Sequence, residues 1–331
     1  MKIQLYKPFT NLSLEPEECF ITGKKIIVEE EQLTVFPEWI LNRYDLKEKT
    51  FTMLGDGNIV KYKNLKVPCA LDIIMEKINP LEKEIEVAFS IGYEEVIKLP
   101  KEKLFQWIAK LVYGILYNDL RIAIQQQYRR SENFSFSPYL KTRFENLHLM
   151  LQSLVIPMEF KDFSPYSIEV VKINYSKDVF NYKDETNKLN FSLGMHNFGI
   201  VCCLQDNGVN SLFHKDLIAK IATKTLHPIQ FEELCGRFIY SNYLLKKYPE
   251  YTVHLAEDKV YIEPLPLTSE EQKNIFNPWD DELFGQVLAN YWKPWGIPMS
   301  EIVIFPNAPI SFLLNDYSEE LIEPTSISLP F

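Results

Sequence analysis

The chain has 331 residues, of which 46% are hydrophobic, so it can bury a sizeable core, and its length favours two domains or one elaborated domain. Its 45 acidic and 35 basic side chains give a formal net charge of −10. This charge disfavours binding to nucleic acid, because a polyanion is repelled unless basic residues are concentrated on one face.

The sequence also disfavours membrane insertion and secretion. The most apolar long stretch, residues 104–120, carries Gln106, Lys110, Asn118 and Asp119 and is therefore typical of a core helix. Residues 1–18 contain no apolar stretch of the length found in signal peptides. The five cysteines cannot all form pairs, because their number is odd, so a disulfide framework is not expected. We therefore expect a cytoplasmic protein that has no membrane partner.

Short segments near the amino terminus form a pattern. Residues 19–24 read CFITGK, residues 33–40 read LTVFPEWI, and residues 65–74 read LKVPCALDII, with PLE at residues 80–82. Together they resemble HNH-type (treble-clef) endonuclease-like proteins, in which a C-x-x-C-G knuckle precedes E-H-x-x-P-x-W-L. In that family a later P-C-C-x-x-C-N-N opens a helix that ends in L-S-x-L-E.

The resemblance implies where the metal and catalytic groups would stand. In this chain the four zinc-ligand positions are Cys19, Thr22, Ala70 and Ile73. The catalytic histidine position is Thr34, and the first asparagine position is Ile74. Structural zinc needs four soft or borderline ligands, so one cysteine cannot hold it. Thr34 cannot act as a base near neutral pH, and Ile74 offers no donor or acceptor. We therefore expect a degenerate unit with no catalytic residue, metal or cofactor.

Apolar residues at three- and four-residue spacing predict helices after this pattern. One stripe covers residues 71–89, a second and wider stripe covers residues 103–129, and a third covers residues 139–154. The wide second stripe is typical of a helix at the centre of a core. His148 on the third stripe is predicted to be a hydrogen-bonded core histidine and not a ligand, because no second metal-binding side chain lies one turn away.

After Pro157 the pattern changes to the alternation that is typical of strands. The predicted elements are strands at 166–175, 188–195, 198–204, 251–255 and 260–264, and helices at 212–222, 228–247 and 280–292. We therefore predict an α+β protein. Its first domain, residues 1–156, would be a metal-free treble-clef-like unit with a helical core, and residues 157–331 would form an antiparallel β-meander with helices.

Two polar groupings in the second half have alternative interpretations. Asp206 and His214 flank a possible cation loop, but a calcium loop needs regularly alternating oxygen ligands, so a turn or helix cap is favoured. His227, Glu232 and Cys235 resemble a hydrolase set in composition. Because His227 precedes a proline at a predicted helix start, we expect it to serve the helix terminus.

The run NYWKPWGIP at residues 290–298 cannot continue the preceding helix, because proline fixes the backbone and removes a donor. Its tryptophans are too apolar to remain in water. Docking on the chain's own core is the favoured interpretation. Alternatively, Trp292 and Trp295 form an exposed surface for a partner.

These patterns lead to one hypothesis and one rival. The hypothesis is a non-catalytic cytoplasmic interaction or scaffold protein that derives from an HNH-like fold and binds an unidentified protein. The alternative is a nucleic-acid-binding protein, or an enzyme of another class that uses a pocket between the two halves.

Overall fold

The computed structural model describes residues 3–10, 12, 14–27, 30–53, 59–130, 137–176, 178–268, 274–303, 308–315 and 318–329. The strands, in chain order, are β1 (Gln32–Thr34), β2 (Thr50–Thr52), β3 (Ile59–Lys61), β4 (Lys66–Pro68), β5 (Met158–Phe160), β6 (Tyr166–Ile173), β7 (Phe180–Glu185), β8 (Asn190–Met195), β9 (Phe198–Leu204), β10 (Thr225–Leu226), β11 (Tyr251–Leu255) and β12 (Val260–Pro264).

The helices, in chain order, are α1 (Glu38–Arg43), α2 (Leu71–Ile73), α3 (Asn79–Ile91), α4 (Tyr93–Val96), α5 (Lys101–Arg129), α6 (Pro138–Leu151), α7 (Val209–Phe213), α8 (Lys215–Ile221), α9 (Pro228–Leu244), α10 (Asp281–Tyr291) and α11 (Met299–Ile302). A π-helical segment, Ile74–Ile78, joins α2 to α3. The α+β class predicted from the sequence is confirmed. Among the described residues, no helix combines the length and apolarity needed to cross a bilayer.

The chain divides into two compact units, and each is discontinuous in sequence. The first unit comprises residues 1–90, 99–162 and 251–263, and the second comprises residues 91–98, 163–250 and 264–331. The domain boundary predicted near residue 157 therefore needs a correction. The β11–β12 hairpin returns to the first unit because β12 pairs in parallel with β5, so that Val260 lies opposite Met158.

Helix α5 forms the centre of the first unit. It begins after Pro100, and every residue from 107 to 117 is buried, as the wide apolar stripe predicts. Helix α6 packs beside it. On α6 the buried His148 hydrogen-bonds through Nε2 to the Phe20 carbonyl oxygen at 2.9 Å, and burial lowers its pKa to about 4. The prediction of a core histidine at this position is confirmed.

The second unit contains a five-stranded sheet with the order β10-β6-β9-β8-β7. Strands β7, β8 and β9 form an antiparallel meander, but β6 does not lie beside β7 as the next strand of that meander. Instead β6 pairs antiparallel with β9, and Ser167 lies opposite Cys203. After β6 the described chain, as far as residue 176, contacts the β8–β9 turn. There the Tyr175 N–H donates to the His196 carbonyl oxygen at 3.1 Å.

Helix α9 covers the sheet and holds the end of the chain. Strands β8 and β9 are buried along their whole length, and Phe231, Leu234 and Phe238 of α9 join their core. The amide Nε2 of Gln230 donates to the carbonyl oxygens of Phe312 and Ile322 at 2.8 and 2.9 Å. The carboxyl-terminal segment therefore docks on its own unit.

The expectation of a partner surface at Trp292 is corrected by its burial. The indole is fully buried in a cluster with Leu288 and Ile302, and its ring lies 5.0 Å from that of Phe312. Trp295 is only partly buried against the same cluster. A ring enclosed in this way stabilises the fold and offers no area to a partner.

Trp292→Ala is expected to lower the free energy of unfolding by about 3–5 kcal/mol, because it removes a fully buried ring and leaves a cavity. Trp295→Ala, at the partly buried neighbour, serves as the matched control and should cost clearly less. Urea-induced unfolding followed by circular dichroism measures both. An unchanged unfolding midpoint for Trp292→Ala would contradict the packing described above.

Candidate functional site

The first segment of the amino-terminal pattern forms a tight turn. The Gly23 N–H donates to the Cys19 carbonyl oxygen at 2.8 Å, and the Cys19 N–H donates to the Lys24 carbonyl oxygen at 2.8 Å. Gly23 has a φ of +68°, and a Cβ atom there would lie 2.3 Å from the ring of Tyr6. The turn therefore requires glycine at this position.

Strand pairing brings a distant segment to this turn. Strand β1 pairs antiparallel with β4, and the Phe20 N–H donates to the Pro68 carbonyl oxygen at 2.8 Å. Cys69 and Ala70 follow Pro68 directly, and α2 begins at the next residue. The turn and the start of α2 therefore meet at the buried side chain of Cys19.

Hydrogen-bond donors surround the Cys19 sulfur. The thiol of Cys69, foremost, and then the Thr22 hydroxyl and the backbone at Ala70 and Ile21 lower the pKa of Cys19 to about 5, against the opposing effect of burial. The pKa of Cys69 is raised, because its thiol hydrogen-bonds with Cys19 and is itself buried. The hydrogen bond between the two thiols therefore favours deprotonation of Cys19 before Cys69.

The other positions implied by the resemblance lie outside this set of hydrogen bonds. Thr34 is half-buried in β1, where it lies opposite Lys66 of β4. Ile73 ends α2 and Ile74 begins the π-helical segment, and both are half-buried. Neither isoleucine can bind a metal or a proton.

Two side chains at this site, Cys69 and Lys110, were not predicted from the sequence to belong to it. Cys69 lies within the pattern itself, and Lys110 interrupts the apolar stripe of α5. The buried Lys110 ammonium forms an ion pair with Glu82 and favours the deprotonated form of Cys69. Within the described ranges, no three histidine, cysteine or acidic side chains are grouped as metal ligands.

A buried polar cluster lies in the second unit, where the chain leaves β9 and enters α7. The Asp206 carboxylate accepts from the Ser167 hydroxyl at 2.6 Å and from the Asn210 N–H at 3.0 Å. The Ser241 hydroxyl donates to Asn210 Oδ1 at 2.6 Å, and His214 Nε2 lies 3.0 Å from the Ser241 oxygen. All five side chains are buried, and Asp206 organises the turn into α7, as the helix-cap interpretation predicts.

His227, Glu232 and Cys235 do not come together as a reactive set. His227 caps α9, where its Nδ1 accepts from the Ile229 N–H at 3.2 Å. The Glu232 carboxylate is buried and is occupied by Asn181 and Lys183 of β7. Both side chains therefore serve the structure of the second unit.

An apolar surface that the sequence analysis missed lies elsewhere in the second unit. We define the aromatic patch as Leu212, Phe213, Phe276 and Trp279. Leu212 is 64% exposed and Phe213 is 45% exposed. The Phe213 ring lies 4.6 Å from Phe276 and stacks on Trp279 at 6.2 Å. Acidic residues 280–282 follow Trp279 directly and are exposed.

The aromatic patch is anchored from beneath. The Trp279 ring meets Tyr240 edge-on at 4.6 Å, and Tyr240 is buried. Its hydroxyl donates to the Asp280 carbonyl oxygen at 3.0 Å. These contacts fix the half-buried Trp279 in place, so the exposed Phe213 ring stacks on a pre-ordered support.

Comparison with known proteins finds no match: no family model, no curated protein and no solved structure is similar to this chain.

The thiol pair predicts a pH dependence of stability. The folded pKa of Cys19, about 5, lies below the ordinary thiol value of about 8.5. Cys19 therefore contributes stability that is present above pH 8.5 and is lost as the pH falls through about 5. Cys19→Ala should flatten the rise in stability between these pH values, measured by urea unfolding across the range.

Cys235→Ala is the matched control for this measurement. Cys235 is a buried thiol whose pKa is raised by burial, so it does not titrate within that pH range. Its removal should lower stability without changing the slope. Parallel curves for wild type and Cys19→Ala would show that Cys19 remains protonated throughout.

Proposed function

We propose that this protein is a non-catalytic, cytoplasmic interaction or scaffold protein that derives from an HNH-like fold. The observation that carries the proposal is the aromatic patch, a pre-ordered apolar surface on the second unit. Apolar patches rimmed by charge are typical of protein-binding surfaces. All five cysteines are buried and lie outside disulfides, which supports a reducing compartment.

Hydrogen bonds at the Cys19 sulfur support the derivation from an HNH-like fold. The Thr22 hydroxyl and the backbone at Ala70, two positions implied by the resemblance, hydrogen-bond to its sulfur. Ile73 lies three residues after Ala70 and so on the same side of the helix start. Here a hydrogen-bonded thiol replaces the metal as the link between the turn and α2.

Restoring the missing ligands tests this derivation. The triple variant Thr22→Cys, Ala70→Cys, Ile73→Cys, with Cys19 retained, should bind one Co(II) per chain and show the absorption of a tetrahedral thiolate complex. The wild type should bind none. Adding Cys19→Ser to the triple variant should weaken the complex. A folded triple variant without this absorption would contradict the derivation.

The partner is a protein with exposed apolar side chains and a basic rim. The aromatic patch supplies rings that can be buried at an interface core, where aromatic residues carry most of the affinity. Asp280, Asp281 and Glu282 add negative charge beside it, which attracts a basic partner and speeds association.

The double variant Leu212→Glu, Phe213→Ser is expected to reduce partner recovery at least about tenfold, because it places charge and polarity in the aromatic patch. Ile59→Glu is the matched control, since Ile59 is 67% exposed and lies in the first unit. Affinity purification with mass spectrometry, together with thermal melting, measures both. Equal recovery by the two variants would refute this role of the patch.

A further inference from the structure

Strand β11 lies at the edge of the sheet ordered β11-β12-β5. The Ala256 N–H donates to the Lys259 carbonyl oxygen at 3.0 Å, and the Thr252 hydroxyl reaches the Glu263 carbonyl oxygen at 3.4 Å. These two contacts fix the register of the β11–β12 hairpin.

The register determines which backbone groups of β11 face outward. In an antiparallel pair, hydrogen-bonded residues alternate with residues whose N–H and C=O groups point away from the neighbouring strand. Because Ala256 forms a hydrogen-bonded pair with Lys259, the outward-pointing residues of β11 include Val253 and Leu255. Among the described residues, no strand pairs with these donors and acceptors.

The same two residues expose apolar side chains. Val253 is 38% exposed and Leu255 is 56% exposed, and as alternate residues they lie on one face of the strand. Edge strands are commonly protected by lysine, proline or a bulge. The sequence of β11, YTVHL, contains neither lysine nor proline. This edge therefore combines free backbone groups with an apolar surface.

A cavity of about 320 Å³ adjoins Val253. Its other walls include Tyr6 and Phe9 of the amino-terminal segment and Leu149 of α6, with Lys7 and Glu145 as charged members. This volume is at the lower end of the range of about 300–1,000 Å³ for ligand pockets. It suits one large apolar side chain presented from a strand beside β11.

The end of β11 is acidic. Glu257 and Asp258 form the exposed tip of the hairpin, directly after Leu255 and Ala256. A basic residue on an incoming strand would meet these carboxylates once its apolar residues lay beside Val253 and Leu255. Charge complementarity at this point would also select the direction of the strand.

We propose that β11 binds an extended peptide segment of a partner protein, which adds a strand to the sheet. The segment has apolar residues at alternate positions, one of which enters the cavity, and a lysine or arginine that faces Glu257 and Asp258. Main-chain hydrogen bonds supply affinity, and the cavity supplies specificity. This inference rests on the proposed interaction function and assigns it a second surface.

Fluorescein-labelled octapeptides with leucine, valine or phenylalanine at alternate positions and two terminal lysines are the probes, and fluorescence polarisation measures their binding. Replacing the central apolar residue by serine, or the lysines by glutamate, should each weaken binding about tenfold. Amide hydrogen exchange at Val253 and Leu255 should slow on binding. Equal binding of the serine-containing peptides would overturn the proposal.

Protein variants test separately how the backbone edge of β11 and the cavity contribute to peptide binding. Val253→Pro removes an outward N–H that the fold does not use, so an edge strand tolerates it, and it should abolish binding. Val253→Thr keeps the N–H and is the matched control. Leu149→Trp fills the cavity and should weaken binding about tenfold without altering the backbone edge. Wild-type affinity in both Val253→Pro and Leu149→Trp would refute the site.

The outcomes also distinguish this inference from the proposed function. If no octapeptide binds, while the double variant of the aromatic patch still loses its partner, the edge proposal fails and the interaction function stands. If octapeptides bind and the double variant of the aromatic patch keeps every partner, the proposed role of the patch is wrong and the proposal for β11 is supported. A wild-type dimer that Val253→Pro converts to a monomer would make a second copy the occupant and overturn the proposal.

Discussion

The buried carboxylate of Glu233 is the constraint on which the second unit depends. It accepts from the Arg237 guanidinium at 2.7 and 3.0 Å, from the Ser311 hydroxyl at 2.7 Å, and from the N–H groups of Phe312 and Leu313 at 2.7 and 3.1 Å. A buried charge without partners is strongly destabilising. Helix α9 can therefore be buried at this point only if the carboxyl-terminal segment returns to cover it.

The first unit meets the same requirement with a different pair. Lys110, at the centre of α5, is buried and neutralised by Glu82 of α3, which holds these two helices together. Cys19 and Cys69 join the turn to the start of α2 through a hydrogen bond between their sulfur atoms. In both units, polar groups inside the core are matched to partners that lie far away in sequence.

That distance explains what the sequence predicts and what it does not. Helices α5 and α9 and the β8–β9 hairpin are visible because their apolar periodicity is local. The order of β6 beside β9, the return of β11 to the first unit and the partners of Glu233 all depend on residues many positions apart. The burial of Trp292 was the favoured interpretation of the tail, yet nothing local identified Phe213 as an exposed ring. The HNH-like resemblance stays a prediction.

Natural sequences satisfy the local rules of folding almost everywhere and break them where function requires it. The buried carboxylates of the second unit obey them: Asp206, Glu232 and Glu233 all have hydrogen-bonding partners. Two departures on the surface are Phe213 in the aromatic patch and Leu255 at the edge of the β11-β12-β5 sheet. Both expose apolar area that burial within the chain would stabilise. Binding of a partner would supply that burial, which supports the proposed interaction role at these two surfaces over a reaction at the enclosed polar groups.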